Sequence, residues 1–255
     1  MRLEPEERLP EQPELIDWDA PGPYRVAFST RRGGVSRDPF STLNIGLSTD
    51  DEPERVLENR RRLCAAVGAD PRVATMAWQQ HGSRVVRATA TGILGPSNQF
   101  ERCDGLWSSE PGLAMGLITA DCLPIAIGRS DGEPALCVLH AGWKGLLSGI
   151  VESGVSALGG GGFAAAIGPG IGPCCYEVGA EVARPFRAAF GEDVVDDGRL
   201  DLWTVAERAL HDAGCDAVER SDLCTACDAG RFFSHRRDRG LTGRQGVLGY
   251  VLTGL

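Results

Sequence analysis

Histidine is scarce in this chain: four residues in 255, at positions 81, 140, 211 and 235. Imidazole-based metal binding or acid–base chemistry is therefore confined to very few places. No apolar run approaches the roughly 18 residues that a bilayer-spanning helix requires. The opening MRLEPEERLPEQPELIDWDAPGP is acidic and proline-rich, whereas a secretory signal is basic and then apolar. The chain is accordingly expected in the cytoplasm. Positive charge is also in deficit, with 26 Lys plus Arg against 35 Asp plus Glu and a formal charge of −9. That balance repels phosphate backbones and anionic lipid, so neither nucleic acid nor membrane is an expected partner. Small molecules remain, including small anions held by local arginines. The composition says nothing about oligomeric state.

What is present suits one large globular domain: 255 residues, 42% hydrophobic and 24% charged, enough to bury a core without staples. Thirty-four glycines indicate many tight turns and close backbone approaches. Nine cysteines follow no framework spacing, and several, such as Cys137 in ALCVLH, sit in apolar runs where Cys acts as a small hydrophobe. Disulfides are not expected in a cytoplasmic protein. The adjacent pair Cys174–Cys175 would diverge in extended chain and pack. The lone CxxC at Cys224 and Cys227 lacks a second pair to make a metal or redox motif and reads as accidental.

Residues 1–22 read as a flexible tail and 23–255 as a single catalytic domain. YRVAFSTR reads as a strand. A helix is expected through PERVLENRRRLCAAVGA, capped by Asp50 or Asp51, with Pro53 in its first turn and Gly68 at its end. TMAWQQHGSRVVRAT is strand-like around a polar centre. GLAMGLITADCLPIAIG and ALCVLHAGWKG flank RSDGEP and read as a buried β-hairpin. A turn centred on Asp131 sets Cys122 directly opposite His140, where cross-strand Cβ atoms lie about 5 Å apart. A continuous helix is expected over WKGLLSGIVESGVSAL. Further helices fall in AEVARPFRAAFG and DLWTVAERALHDAGC, the latter capped by Asp201.

Against this frame His81 and His140 stand out, each in a glycine-flanked segment beside an apolar strand. His211 reads as a helix-end residue, and His235 as part of an arginine-rich loop. Adding Cys122 from TADCLPIA makes two imidazoles and a thiolate, preferred zinc donors. Three protein ligands with an open fourth position characterise catalytic zinc. The spacing, 41 residues from His81 to Cys122 and 18 more to His140, is not that of a compact finger. The plainer alternative makes Cys122 a core thiol and Asp121 a turn cap. Basic residues beside glycines, namely Arg31, Arg32, Lys144, Arg236, Arg237 and Arg244, suit phosphate, because the guanidinium fork binds it bidentately. Solvated surface charge is the competing reading for each.

Taken together, STRRGGVS, STLNIGL, ENRRRL, WQQHGSRV, TADCLPI, LHAGWKGL, IGPGIGPCCYEVG and FFSHRRD…TGRQG resemble the laccase-domain, YfiH-type family. The blocks run in order from about residue 25 to the C-terminus. The resemblance implies a single α/β domain of α+β character, with mixed sheets in a layered αββα arrangement. It implies zinc on His81, Cys122 and His140. The implied activities are phosphorolysis of adenosine, inosine, guanosine and methylthioadenosine, and deamination of adenosine. Asp121 is then expected to orient the ligands. Arg31, Asn44, Gln79, Lys144 and Arg237 are the expected contacts to nucleoside and phosphate. Three departures are visible: Lys144 where the family often has Arg, His235 where it often has Tyr, and a polar Gln80 between Gln79 and His81. The family's older name implies multi-copper phenol oxidation. A blue-copper site alone consumes two His and a Cys, so four His leave too few for a coupled cluster, and copper ranks below zinc. Two other readings stay open: a cysteine hydrolase or deamidase using Cys122 and His140, and a metal-stabilised protein without catalysis.

Overall fold

The apolar runs of the sequence become two stacked β-sheets, each with helices on its outer face. The computed structural model describes residues 12–96 and 100–254. The strands are β1 (Leu15–Trp18), β2 (Tyr24–Ser29), β3 (Thr75–Met76), β4 (Val85–Arg87), β5 (Gly105–Ser108), β6 (Met115–Thr119), β7 (Leu123–Arg129), β8 (Leu136–Ala141), β9 (Phe163–Ile167), β10 (Val195–Asp196), β11 (Arg199–Leu200), β12 (Cys215–Arg220) and β13 (Gln245–Val251). The helices are α1 (Pro53–Val67), α2 (Trp143–Leu147), α3 (Ile150–Leu158), α4 (Ala180–Phe190) and α5 (Leu202–Asp212). One sheet has the order β1-β2-β13-β6-β3, the other β12-β9-β7-β8-β5-β4, and β10-β11 form a small ribbon.

Side-chain alternation explains the layers. In β7, Leu123, Ile125 and Ile127 pack with α3, α4 and α5, while Ala126 faces the other sheet. In β8, Cys137, Leu139 and Ala141 take the helix side and Leu136 and Val138 the inter-sheet side. Both faces of these central strands are buried, so they read as unbroken apolar runs rather than as alternation. A third cluster joins Leu63, Cys64 and Val67 of α1 to Ala27, Met76 and Leu248 of the five-stranded sheet. The layer order is thus α1, five-stranded sheet, six-stranded sheet, remaining helices. This is the αββα arrangement of mixed sheets that the family resemblance implies. Among the described residues no helix is long and apolar enough to cross a membrane.

Helix α1 also carries two buried polar residues whose hydrogen bonds go to a loop. Asn59 accepts from the Val35 amide and donates to the Thr42 and Asn44 carbonyls. Arg60 donates to the carbonyls of Ile45 and Ile93. These bonds satisfy backbone that would otherwise be buried unpaired, and they fix the segment 35–48 beside the sheet.

Four expectations need correction. Leu15–Trp18 is not tail: it pairs with β2, and Glu14 binds Arg32 and Arg231; residues 1–11 lie outside the described residues. The N-cap of α1 is Glu52, without a side-chain cap bond, because Asp51 instead accepts from Ser36 and Asn44. The 143–158 helix breaks into α2 and α3 at Gly149, whose φ of +79° is left-handed. The hairpin is shifted by two residues: Leu123 pairs with Ala141 and Pro124 with His140, so the turn centres on Gly132 at φ +70°, a conformation glycine adopts without strain. TMAWQQHGSRVVRAT is strand-like around a polar centre as expected, and its two strands lie in different sheets with the polar centre as the crossing between them.

Candidate functional site

Three segments meet where the inter-sheet layer ends. The Gln79–Gly82 loop crosses from β3 to β4; the turn before β7 carries Asp121 and Cys122; and the end of β8 carries His140. Although Cys122 is not directly opposite His140, it follows β6 through a turn in which Asp121 has φ +90°. That turn aims the thiol back across the strand ends. One donor atom from each of His81, Cys122 and His140 lies within 4.8 Å of the others. The two imidazole centroids are 4.8 Å apart at 76°. His81 also has a positive φ of 59°, a strained value of the kind that collects at functional sites.

The residue that holds this arrangement is Asp104, which the sequence reading passed over. It lies one position before β5, directly opposite His140 in the β5–β8 register, and is 1% exposed. Its carboxylate accepts from the amides of Gln80, His81 and Gly82 and bonds His140 Nδ1 at 2.9 Å. One side chain therefore shapes the His81 loop and fixes the His140 ring with Nε2 free toward the site. Burial raises the Asp104 pKa, but the His140 bond and the backbone amides outweigh it and hold the carboxyl below the usual range. Burial pushes the Cys122 thiol up as well, yet the two imidazoles bring it down to about 6. For His140 burial works downward, while the Cys122 thiolate and Asp104 bring the imidazole up to about 9. Without a metal the pair is thus a thiolate–imidazolium; with one, the same donors present a thiolate and two imidazoles, a donor set that fits zinc.

Gly142 makes room for the thiol. A Cβ there would lie 2.9 Å from Cys122 Sγ and 3.6 Å from His81 Cδ2. The glycine of HAGW is required by the site and not by its backbone, whose φ of −85° and ψ of 172° are open to any residue.

The three donors form the floor of a cavity of about 500 Å³, within the range of small-molecule sites. Its walls include Trp78, Phe100, Ile118, Trp143 and Tyr176, and its basic groups include His235, Arg236 and Arg244. Arg244 is partly buried. Burial lowers its pKa, opposed by attraction to Asp121 and Cys122.

The expected contact residues divide. Gln79 lines the cavity, but its amide is tied to both backbone groups of Ile118. Asp121 lines it too; its carboxylate accepts from Thr225 Oγ1 and the Arg236 amide, so it anchors loops and does not orient an imidazole. Asn44 is fully buried and braces the 44–51 turn through Thr49, Asp51, Gly46 and Arg244. Arg31 donates to the carbonyls of Ser41 and Ala229 and lies over Phe233. Arg237 is bound to Asp238, Thr225 and Phe232. Lys144 is exposed on α2 beside Trp143. None of Asn44, Arg31, Arg237 and Lys144 lines the cavity. Of the basic residues whose type suits phosphate, Arg236 and Arg244 do line it. His235, read as a member of a charge cluster, reaches the cavity, while His211 Nδ1 meets the Cys215 carbonyl at the end of α5. Cys174, Cys175, Cys224 and Cys227, expected to be unrelated, converge within 4.8 Å of one another.

Residues 25–251 match the family described as multi-copper polyphenol oxidoreductase laccase. A purine nucleoside phosphorylase of Pseudomonas aeruginosa is 39% identical, with 87% of this chain and 91% of that protein aligned. The purine nucleoside phosphorylase YfiH of Escherichia coli is 35% identical over 89% of this chain and 93% of its own length. Among solved structures, YfiH of Bacillus licheniformis superposes with a TM-score of 0.83 at 32% identity, covering 92% of this chain and 98% of that one. YlmD of Geobacillus stearothermophilus gives 0.83 at 30%, covering 91% and 93%. With the family match, the identities and the fold in agreement over matched lengths, the chain belongs to this YfiH-type laccase-domain family.

Proposed function

We propose that the protein is a cytoplasmic, zinc-dependent purine nucleoside phosphorylase acting on adenosine, inosine, guanosine and methylthioadenosine, with adenosine deaminase as a second activity. The supporting observation is the three-donor site with an open side, set at the floor of an aromatic-walled cavity whose lining also includes Arg236 and Arg244. The names of the relatives point to the same reaction.

His81, Cys122 and His140 would hold the ion, and Asp104 keeps His140 in the tautomer that binds through Nε2. Bound zinc supplies Lewis-acid polarisation and lowers the pKa of water at its fourth position, as deamination at adenine C6 requires. The remaining work belongs to the cavity. Trp78, Trp143 and Tyr176 provide flat apolar surface for a purine. Arg236 and Arg244 supply the local positive charge that a phosphate nucleophile needs in a protein of charge −9. Phosphate held there can attack ribose C1′ as the bond to purine N9 breaks and its electron pair leaves with the base.

The test is phosphate-dependent release of hypoxanthine from inosine, with zinc quantified in the same preparation. Turnover should require phosphate and fall to background in His81→Ala and Cys122→Ala. Full turnover in metal-free protein would sink the proposal.

One observation favours a second reading. Cys122, His140 and Asp104 are aligned as nucleophile, base and orienting acid, with the thiol depressed to about 6. A hydrolase of this kind keeps its activity without metal, loses it on alkylation of Cys122, and tolerates loss of His81. The phosphorylase reading requires the opposite for metal removal and for His81; loss of activity on blocking Cys122 is common to both.

A further inference from the structure

Cys174, Cys175, Cys224 and Cys227 come from two segments 50 residues apart in sequence. The first pair lies in the turn after β9, where the Cys175 and Tyr176 amides both bond the Gly172 carbonyl. Extended chain would send adjacent side chains to opposite faces; this turn sends both to one side. The second pair opens the loop after β12, joined to the first by backbone bonds between Gly170 and both Leu223 and Thr225. Cys227 Sγ lies 3.4 Å from both Cys174 Sγ and Cys175 Sγ. All four sulfurs lie within 4.8 Å of one another, and all are free thiols. Zinc bound tetrahedrally at about 2.3 Å sets sulfur–sulfur edges of about 3.8 Å. Bonded sulfurs would stand at about 2.05 Å.

A second observation concerns the backbone. Cys224 Sγ accepts the Gly172 amide at 3.3 Å. An amide from the facing loop, held against the first sulfur of the CxxC, favours its thiolate and ties the two segments together at the cluster. Four sulfurs, with no imidazole or carboxylate among them, make a closed donor set of the structural type.

We infer that these four cysteines form a second, structural zinc site, which clamps the loop after β9 to the loop after β12. The clamp has a target in the cavity. Cys175 is followed by Tyr176, a cavity wall residue over which Arg236 stacks at 5.0 Å. Thr225, between the CxxC cysteines, donates to Asp121 at 2.7 Å and accepts Arg237 through its carbonyl. An ion in this cluster therefore holds one wall of the cavity and the anchor of the turn that carries Cys122. The cluster is a positioning element and does not depend on which reaction the cavity performs.

Zinc stoichiometry tests it directly, on full-length protein prepared anaerobically with zinc and then desalted. The expected content is two ions per chain, one for each of the two groups. It should fall to one in Cys122→Ala, and to one in Cys224→Ser/Cys227→Ser. Should the double variant not fold, Cys174→Ser provides the same reading at an exposed position. Cobalt-loaded Cys122→Ala should keep most of the near-ultraviolet thiolate-to-metal absorption, and Cys174→Ser should lose part of it. A single zinc that survives the Cys224→Ser/Cys227→Ser change and disappears in Cys122→Ala would overturn the inference. So would recovery of these four residues as disulfides from anaerobic protein. Failure of inosine turnover with two ions bound would count against the phosphorylase reading alone.

Discussion

A single missing Cβ gives the Cys122 thiol its place beside His81. At Gly142 an added methyl would meet Cys122 Sγ at 2.9 Å, while the backbone there is ordinary. Gly142→Ala is therefore expected to lose zinc at the three-donor site while the metal-free protein melts within a degree or two of the parent. Zinc titration alongside thermal unfolding checks this, and retained stoichiometric zinc would contradict it. Asp104 acts at the same scale. Asp104→Asn removes the negative charge facing His140 and leaves one carbonyl oxygen for amides that two oxygens now share. Such partners of metal ligands are worth about 10–100-fold in metal affinity, and competition against a chelator should show a loss of that size. Because its pKa is depressed in the folded state, the stability Asp104 contributes is present above the ordinary carboxylate range and is lost as pH falls through the folded value; the asparagine variant should lack that acid-side dependence. The convergence of the three candidate donors was suggested by the sequence, since only two of the four His sit in glycine-flanked segments beside apolar strands. Asp104 could not be ranked so easily. An acid immediately before GLWS marks either a strand end or a buried carboxylate, and only the β5–β8 register, which brings it opposite His140, separates the two.

At the scale of elements, patterns of local origin survived best. Asp201 caps α5 as expected, accepting the Thr204 amide and the Thr204 hydroxyl. Asp201→Ala should cost about 1 kcal/mol, measurable as a lower denaturant midpoint with unchanged slope and unchanged zinc content. The errors arose where tertiary partners overrode the local signal. Asp51 has a side chain fit for capping α1, but Ser36 and Asn44 claim it. LIDW at 15–18 follows an acidic, proline-rich stretch and carries too little pattern to announce a strand; β2 supplies the edge it joins. The hairpin register slipped by two residues because RSDGEP offers two turn centres, Asp131 and Gly132, and only the left-handed backbone at Gly132 selects the second. The slip moves the direct partner of His140 from Cys122 to Pro124, yet the Cys122 thiol still reaches His140 from the turn before β7. The cysteine cluster was missed for a related reason: adjacency argues divergence in a strand, and nothing in CCYEV announces a turn.

For the whole molecule, a formal charge of −9 sets a field that opposes any phosphate approaching from solvent. Binding must then depend on charge concentrated within the cavity, and few side chains can supply it. Arg60 reaches the cavity, but its guanidinium serves the carbonyls of Ile45 and Ile93. Arg236 is exposed and donates to the Glu177 carbonyl. Arg244 bonds the carbonyls of Thr242 and Gly243 through Nη1 alone, is drawn toward Asp121 and Cys122, and comes from the segment that leads into β13 at the centre of its sheet. A charged hydrogen bond to phosphate contributes about 2 kcal/mol, or roughly thirty-fold in affinity at about 1.4 kcal/mol per decade. Arg244→Gln should therefore raise the KM for phosphate by roughly that factor, with the KM for inosine and the zinc content unchanged, when both substrates are varied at constant ionic strength. Equal increases in both KM values would instead mean that Arg244 only shapes the cavity, and would return the search for the phosphate contact to Arg236.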